Sequence, residues 1–155
     1  MPKVSAGLLA YRRTDVGVEI LLVHPGGPFW AKKDDGAWSV PKGEYEPSED
    51  PLAVARREFE EEIGQAPPAG SEPVWLGELR QPSGKVVSAW AIEGDLDVRE
   101  VHSNSFEMEW PPRSGRTAEF PEVDRAGWFG PEEARRKILR GQLGFIDRLE
   151  ELLAS

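Results

Sequence analysis

Four glutamates crowd one short stretch of the chain, residues 50–64: Glu58, Glu60, Glu61 and Glu62. On a helix, like charges three or four positions apart repel one another by a few tenths of a kcal/mol per pair. At about 100° per residue, Glu61 and Glu62 flank Glu58 in one sector, whereas Glu60 points away from them. Converging carboxylates suit a hard cation such as Mg²⁺ or Mn²⁺, which prefers oxygen ligands. From the helix alone, a cation site and a solvated acidic face both remain open.

The same stretch carries the signals of a helix with one buried side. Its apolar residues recur at helical spacing and are expected to face the core: Leu52, Ala55, Phe59 and Ile63. Ser48 or Asp50 can cap the start, and Pro51 suits a first helical turn. Gly64 ends the pattern. We therefore predict a helix over residues 51–63.

The loop before this helix adds fixed positions at fixed spacing. Gly43 is followed by five residues and Glu49, then by seven residues and the run from Arg57 to Gly64, "REFEEEIG". This spacing resembles the signature of the Nudix hydrolase family: glycine, five residues, Glu, seven residues, then Arg-Glu-apolar-any-Glu-Glu-any-Gly-apolar. Gln65 stands where the signature ends on an apolar residue. It lies beyond the end of the helix.

The resemblance implies a fold and a reaction. The fold would be α/β (α+β), an α/β/α sandwich around a mixed central sheet, and we expect residues 1–155 to form a single domain. The reaction would be hydrolysis of a nucleoside diphosphate linked to another group, by attack of water on phosphorus. The cofactor would be Mg²⁺ or Mn²⁺, which neutralises the diphosphate and activates the water.

The resemblance also assigns roles by position. It implies four metal ligands: Glu58, Glu61, Glu62 and the carbonyl of Gly43. Glu49 and Arg57 would pair and so brace the loop against the helix. All these residues belong to the catalytic machinery that the resemblance predicts.

The general base has several candidates. Glu58 or Glu62 is the first choice. Glu122, six residues before Trp128, occupies a place similar to a downstream glutamate of dinucleoside polyphosphate hydrolases, as an auxiliary ligand or base. Glu119 is close enough along the chain to compete with it.

Residues outside the signature are candidates for holding the substrate. The letters "WSVPKG" before the helix resemble the corresponding segment of diadenosine polyphosphate and inositol-pyrophosphate hydrolases, where the lysine approaches phosphates. This makes Lys42 a candidate phosphate contact, and Lys85 and Arg113 can add positive charge. Trp110 lies beside a Gly/Pro-rich loop and Trp30 within another, where an aromatic ring can stack on a base.

Composition limits the partners. The formal net charge is −9 and the pI about 4.8, so the chain has no general electrostatic reason to bind nucleic acid or anionic membranes. No run of apolar residues is long enough to span a bilayer. The absence of cysteine excludes disulfides and thiolate catalysis. We expect a cytoplasmic monomer or homodimer whose partner is a small-molecule nucleotide.

The remaining patterns place the other elements around the predicted helix. Runs rich in Val, Leu, Ile and aromatic residues predict strands at residues 3–11, 18–24, 37–40, 74–81, 85–94, 106–110 and 122–129. Two further helices are predicted at residues 130–139 and 141–155, the second with Leu143, Ile146, Leu149 and Leu153 on one side. Residues 25–36, 41–50, 95–105 and 111–117 are predicted to be irregular. This order favours an α/β or α+β sandwich.

Three functions besides hydrolysis of dinucleoside polyphosphates remain open from the sequence. The first is cleavage of nucleoside triphosphates to monophosphates, which would cleanse the nucleotide pool. The second is a Nudix-like module that binds a nucleotide without cleaving it, although such modules typically lose signature carboxylates. The third is an interaction domain with an acidic face, which would make the signature an accident.

Overall fold

The computed structural model describes residues 3–99 and 101–154. In chain order the elements are β1 (Val4–Thr14), β2 (Gly17–Pro25), β3 (Lys42–Glu44), α1 (Pro51–Ile63), β4 (Val74–Arg80), β5 (Val86–Glu93), β6 (Ser105–Glu109), β7 (Thr117–Pro121), β8 (Val123–Phe129), α2 (Pro131–Lys137) and α3 (Leu143–Ala154), with a 3₁₀ turn at Arg140–Gln142. No helix in the described ranges is long and apolar enough to cross a membrane.

The central sheet is mixed. Its strand order is β4-β5-β1-β2-β8, and the short β3 pairs with the start of β1. β1 runs parallel to β5 and antiparallel to β2 and β3. β6 and β7 pair with each other in a two-stranded sheet of their own. β1 and β2 are joined by a tight turn, because Thr14 pairs with Gly17 at the end of their ladder.

Helices cover both faces of this sheet. Because successive side chains of a strand point to opposite faces, Leu8 of β1 packs on the α1 side and Leu9 on the other side. Phe59 and Ile63 of α1 fill the first core, and Phe145 of α3 fills the second, each without exposure to solvent. The α/β/α sandwich with a mixed sheet is therefore confirmed.

One predicted strand is absent, and two observed strands were not predicted. Residues 37–40 make only isolated bridges, Trp38 to Ile138 and Ser39 to Val23. Trp38 and Val40 are buried in the core, which explains the apolar pattern of this segment. Burial alone does not require a strand. β3 lies instead in the segment predicted as a loop, because its pairing with Ser5–Gly7 of β1 supplies a ladder that the letters "KGE" do not signal. β7 was not predicted.

The predicted helices differ from the observed ones at their ends and in part of their packing. α2 ends at Lys137 because Ile138 is extended (ψ 149°), so residues 138–139 are not helical. α3 starts at Leu143 after the 3₁₀ turn rather than at residue 141. In α1, Leu52 is only half-buried, whereas Val54, which was not assigned to the core, is buried.

Candidate active site

Helix α1 begins and ends where its local signals predict. Asp50, rather than Ser48, caps the start: its side chain accepts a hydrogen bond from the Ala53 amide at 3.2 Å. Gly64 adopts a left-handed conformation (φ 85°), and its amide donates to the Glu60 carbonyl at 2.7 Å. The buried face of the helix, formed by Val54, Ala55, Phe59 and Ile63, sets the directions of its glutamates.

The glutamates of α1 have different environments. Glu60 is exposed, whereas Glu58, Glu61 and Glu62 are partly or largely buried. Burial raises the pKa of Glu58, and the charges of Glu61 and Glu122 act in the same direction. Burial also raises the pKa of Glu62 to about 8, with Glu58 and Glu122 adding to the shift while Lys42 opposes it. The α1 carboxylates thus form a crowded negative site that lacks enough positive charge.

Gly43 allows the close approach of one of these carboxylates. A Cβ atom added at Gly43 would lie 2.2 Å from Glu58 Cδ, a distance that only a glycine avoids. Gly43 is held there by its pairing with Ala6 in the β1–β3 ladder. The backbone of Gly43 therefore packs directly against the Glu58 carboxylate.

The loop between β3 and α1 is tied to the helix by one ion pair. Arg57 Nη1 donates to Glu49 Oε2 at 3.2 Å, and Arg57 Nη2 lies 3.8 Å from Glu58 Oε1. Glu49 Oε1 in turn accepts the Glu46 amide at 2.9 Å. This places Glu49 and Arg57 beside the carboxylates, as the resemblance implies.

Lys42 contributes the positive charge nearest to Glu62. Its side chain is largely buried, and burial lowers its pKa, with Lys85 acting in the same direction and Glu62 opposing both. Lys85 itself lies 3.6 Å from the Glu44 carboxylate. A buried lysine beside a carboxylate pocket is placed to meet an anionic ligand.

Glu122 joins the site from the far end of the chain. It links β7 to β8: its amide donates to the Asn104 carbonyl at 2.8 Å, and its carbonyl accepts the Gly26 amide at 2.9 Å. The Asn104 amide donates to the Glu61 carbonyl at 3.2 Å, which ties this segment to the end of α1. The competing Glu119 lies on β7, is exposed and pairs with Glu107. Between the two, Glu122 is the one whose charge acts on Glu58 and Glu62.

A cavity of about 210 Å³ opens beside these groups. Its charged lining consists of Lys42, Glu62 and Glu122. The rest of its lining is mostly apolar: Val23, Pro25, Trp30, Ala37, Ser39, Val123 and Leu139. The cavity therefore has a charged side and an apolar side. A larger cavity of about 620 Å³ at Gln65, Asp97, Arg99 and His102 does not include the α1 carboxylates.

Three of the four expected substrate contacts, Lys85, Arg113 and Trp110, do not line the 210 Å³ cavity. The Trp110 ring packs edge-on against Phe29, with ring centroids 5.8 Å apart. Arg113, at the tip of the β6–β7 hairpin, has a positive φ of 61°, and its amide donates to Glu109 Oε1. Trp30 takes the place beside the carboxylates. Its position in a Gly/Pro-rich loop was the one sequence signal for it, and Trp110 shared that signal.

The chemistry of the donors fits a hard divalent cation. Glu58, Glu61, Glu62 and Glu122 offer carboxylate oxygens, and the backbone of Gly43 lies against Glu58. In residues 3–99 and 101–154, no three acidic or histidine side chains are already gathered into a coordination geometry. A bound cation would offset the repulsion among these carboxylates.

Comparison with known proteins agrees with this geometry. The NUDIX domain family model matches residues 1–149. An RNA pyrophosphohydrolase of Rhodospirillum rubrum is 42% identical over 81 residues, which cover 49% of this chain and 47% of that protein. The chain thus matches about half the length of this curated relative.

Solved structures show the same fold at low identity. An Ap4A hydrolase of C. elegans in a binary complex is 22% identical, with a TM-score of 0.65 and 98% of each chain covered. The NUDIX domain of Shewanella oneidensis NrtR, solved with ADP ribose, is 16% identical, with a TM-score of 0.68, 99% of this chain covered and 89% of that one. The matched signature, the sandwich and the family model over nearly the whole length establish that this chain belongs to the NUDIX domain family.

Proposed function

We propose that the chain is a divalent-metal-dependent hydrolase of phosphoric anhydride bonds in nucleotides, with dinucleoside polyphosphates as its preferred substrates. The observation that carries the proposal is the packing of Glu58 against Gly43, beside Glu61, Glu62 and the buried Lys42. Family membership and the RNA pyrophosphohydrolase relative support the reaction class.

Each residue of the site would have a separate role in the reaction. Glu58, Glu61, Glu62 and the Gly43 carbonyl would hold Mg²⁺ or Mn²⁺, with Glu122 as an auxiliary group. Once bound, the cation lowers the pKa of attacking water and neutralises developing charge on the phosphates. Lys42 would bind a phosphate oxygen, while the Glu49–Arg57 pair keeps the loop against α1.

One carboxylate must accept a proton from the attacking water. Glu58 and Glu62 are the first candidates, because both belong to the carboxylate cluster and Glu62 also lines the cavity. Glu122 is the further candidate, since its charge already acts on both of them.

The preferred substrate class rests on Lys42 and on the "WSVPKG" segment that carries it. A second candidate, the 5′-polyphosphate end of RNA, is favoured by the 42% identity to an RNA pyrophosphohydrolase. The net charge of −9 disfavours it, because contact with many phosphates of a strand needs local positive charge. Nucleoside triphosphates share the same anhydride bonds and form the third candidate.

A hydrolysis screen tests the proposal. Diadenosine polyphosphates, nucleoside triphosphates, ADP-ribose and a 5′-triphosphorylated RNA are incubated with the protein and Mg²⁺ or with EDTA, and the products are resolved by anion exchange. We expect Mg²⁺-dependent cleavage of diadenosine tetraphosphate to ATP and AMP. Release of pyrophosphate from triphosphates or from RNA would reassign the substrate. Turnover that is unchanged by EDTA, or turnover of no anhydride, would overturn the proposal.

A further inference from the structure

The segment between β2 and residue 37 contributes Trp30 to the lining of the 210 Å³ cavity. Trp30 lies at the middle of this segment, half-buried, and packs against the α3-side core. Its amide approaches the Gly27 carbonyl at 3.3 Å, and its carbonyl accepts the Lys33 amide at 3.0 Å. Lys33 Nζ lies 5.2 Å from the ring centroid, so a cation also contacts the ring. The indole is thus held in a folded turn.

The size of the cavity limits what it can hold. At about 210 Å³ it is smaller than the sites that enclose drug-sized ligands, which begin at about 300 Å³. It can take one planar heterocycle next to the charged side formed by Lys42 and Glu62. A second nucleoside of the same substrate would lie outside it. The indole of Trp30 is the largest aromatic surface in the lining, and nucleobases stack on such surfaces.

His24 anchors residues 26–36 through a hydrogen bond to the Lys33 carbonyl. Its side chain is fully buried, and its Nε2 lies 2.6 Å from the Lys33 carbonyl oxygen. A carbonyl can only accept, so Nε2 carries a proton and donates it. Nδ1 lies 2.8 Å from Asp124 Oδ1. One imidazole therefore connects the segment that carries Trp30 to the strand that begins just after Glu122.

His24 is a polar side chain without solvent exposure, so its burial requires hydrogen-bond partners. An apolar residue at position 24 would remove the hydrogen bonds to both Lys33 and Asp124. Asp34 fixes the same segment further on, through the Trp38 indole Nε1 at 2.8 Å and through Lys137. Of these anchors, His24 is the one bonded to the turn that follows Trp30.

We propose that Trp30 is the residue on which the substrate's base stacks, and that His24 is a positioning residue which holds Trp30 in the cavity wall by tying Lys33 to Asp124. The inference rests on the proposed function, because it assigns the base to the apolar side of the same site. It makes Trp30 a determinant of nucleotide affinity rather than of chemistry.

Substitution of Trp30 tests the first part. W30A should raise KM for the nucleotide substrate about tenfold or more while kcat stays close to the original value, and W30F should restore most of the affinity. W75A is the matched control, because Trp75 is also partly exposed but lies on the edge strand β4. Inorganic tripolyphosphate, which lacks a base, should inhibit W30A and the original protein equally.

The outcomes separate this inference from the proposed function. An unchanged KM in W30A, or weaker inhibition by tripolyphosphate in that variant, would overturn stacking on Trp30 while leaving the hydrolase intact. Turnover that survives removal of the α1 carboxylates would instead overturn the proposed function.

Two variants of His24 test the positioning role. Gln places its amide nitrogen near Nε2 and can still donate to Lys33, whereas Asn reaches only the Asp124 side. We expect H24N to raise KM as W30A does and to speed amide hydrogen exchange across residues 26–36. H24Q should largely rescue both. Equal KM values and equal exchange in H24N and the original protein would overturn the role, and the exchange measurement needs no substrate.

Discussion

Glu58 and Gly43 are packed so closely that a methyl group on Gly43 would lie 2.2 Å from Glu58 Cδ and 2.5 Å from its Oε2. The contact joins a strand that is three residues long to the middle of α1. Its tightness means that the carboxylate position is set by the backbone of another element as well as by the helix.

We therefore expect Gly43→Ala to displace the Glu58 carboxylate and to lower kcat/KM about 100-fold, because displacements of about 1 Å in an active site cost that much. Steady-state kinetics at saturating Mg²⁺ measures the effect. Gly130→Ala is the control, since a Cβ there meets no atom within 4 Å. Full activity in Gly43→Ala would contradict the role of this contact.

A second prediction compares two neighbouring glutamates on α1. Glu61→Gln should lower kcat at least about 100-fold, because it removes a negative charge from the proposed cation site. Glu60→Gln should leave kcat within about twofold, because the Glu60 side chain is exposed. Single-turnover assays with both variants check this. Comparable losses in the two variants would refute the assignment of helix faces.

A third prediction concerns protons released by Mg²⁺. Burial raises the pKa of Glu62 to about 8 in the protein without metal, so this carboxyl keeps its proton over most of the range between its ordinary value of 4.5 and about 8. Cation binding requires the ionised form, so at pH 7 binding should release a proton, and Mg²⁺ affinity should rise with pH up to about 8. Calorimetric titration in two buffers with different ionisation enthalpies measures the release.

The same carboxyl provides the control. Glu62→Gln cannot titrate at this position, so its proton release at pH 7 should be smaller. If the original protein binds Mg²⁺ with equal affinity at pH 6 and pH 9, Glu62 does not hold the cation.

The raised pKa of Glu62 also determines the direction in which stability changes with pH. A carboxyl whose pKa is raised on folding favours the native state only in its protonated form, so the metal-free protein should lose stability as pH rises from about 4.5 to about 8. Glu62→Gln should remove this part of the pH dependence. Urea unfolding in EDTA at pH 5, 7 and 9 measures it, and a slope that is identical in the two proteins would contradict the assignment.

A last prediction addresses the edge of the sheet. Arg148 Nη1 donates to the Leu76 and Glu78 carbonyls of β4 at 3.0 and 3.1 Å, across the bulge at Gly77 (φ 101°). Arg148→Ala should lower the free energy of unfolding by about 1–2 kcal/mol, because carbonyls that accepted from a charged donor lose it. Chemical denaturation checks this. Arg140→Ala, at an exposed position, should change stability by less than about 0.5 kcal/mol.

Much of α1 could be predicted from the sequence because its signals are local. Asp50, Pro51 and Gly64 fix its ends through contacts within four residues, and apolar periodicity fixes its buried side. The strands β3 and β7 escaped prediction for the opposite reason. β3 exists because Lys42–Glu44 pairs with Ser5–Gly7, and β7 because it pairs with β6 across the hairpin tip. Neither pairing is signalled by the letters of the strand itself.

The same limit applies to the site. The spacing of the α1 glutamates places three of them together without knowledge of the fold. The choice of Trp30 over Trp110 as the cavity wall depends on His24, Lys33 and Asp124, which are up to 100 positions apart. Two tryptophans in similar loops cannot be ranked until such contacts are known.

The isolation of the β6–β7 hairpin has a consequence for how the protein can diversify. Its two strands pair with each other, and the central sheet keeps its own register across β8, β2 and β1. Insertions or deletions at the hairpin tip between residues 110 and 116 therefore leave the ladder of the central sheet, and the helix packed on it, in place. The length of the hairpin tip is therefore not constrained by the hydrogen-bonded register of the sheet on which α1 packs.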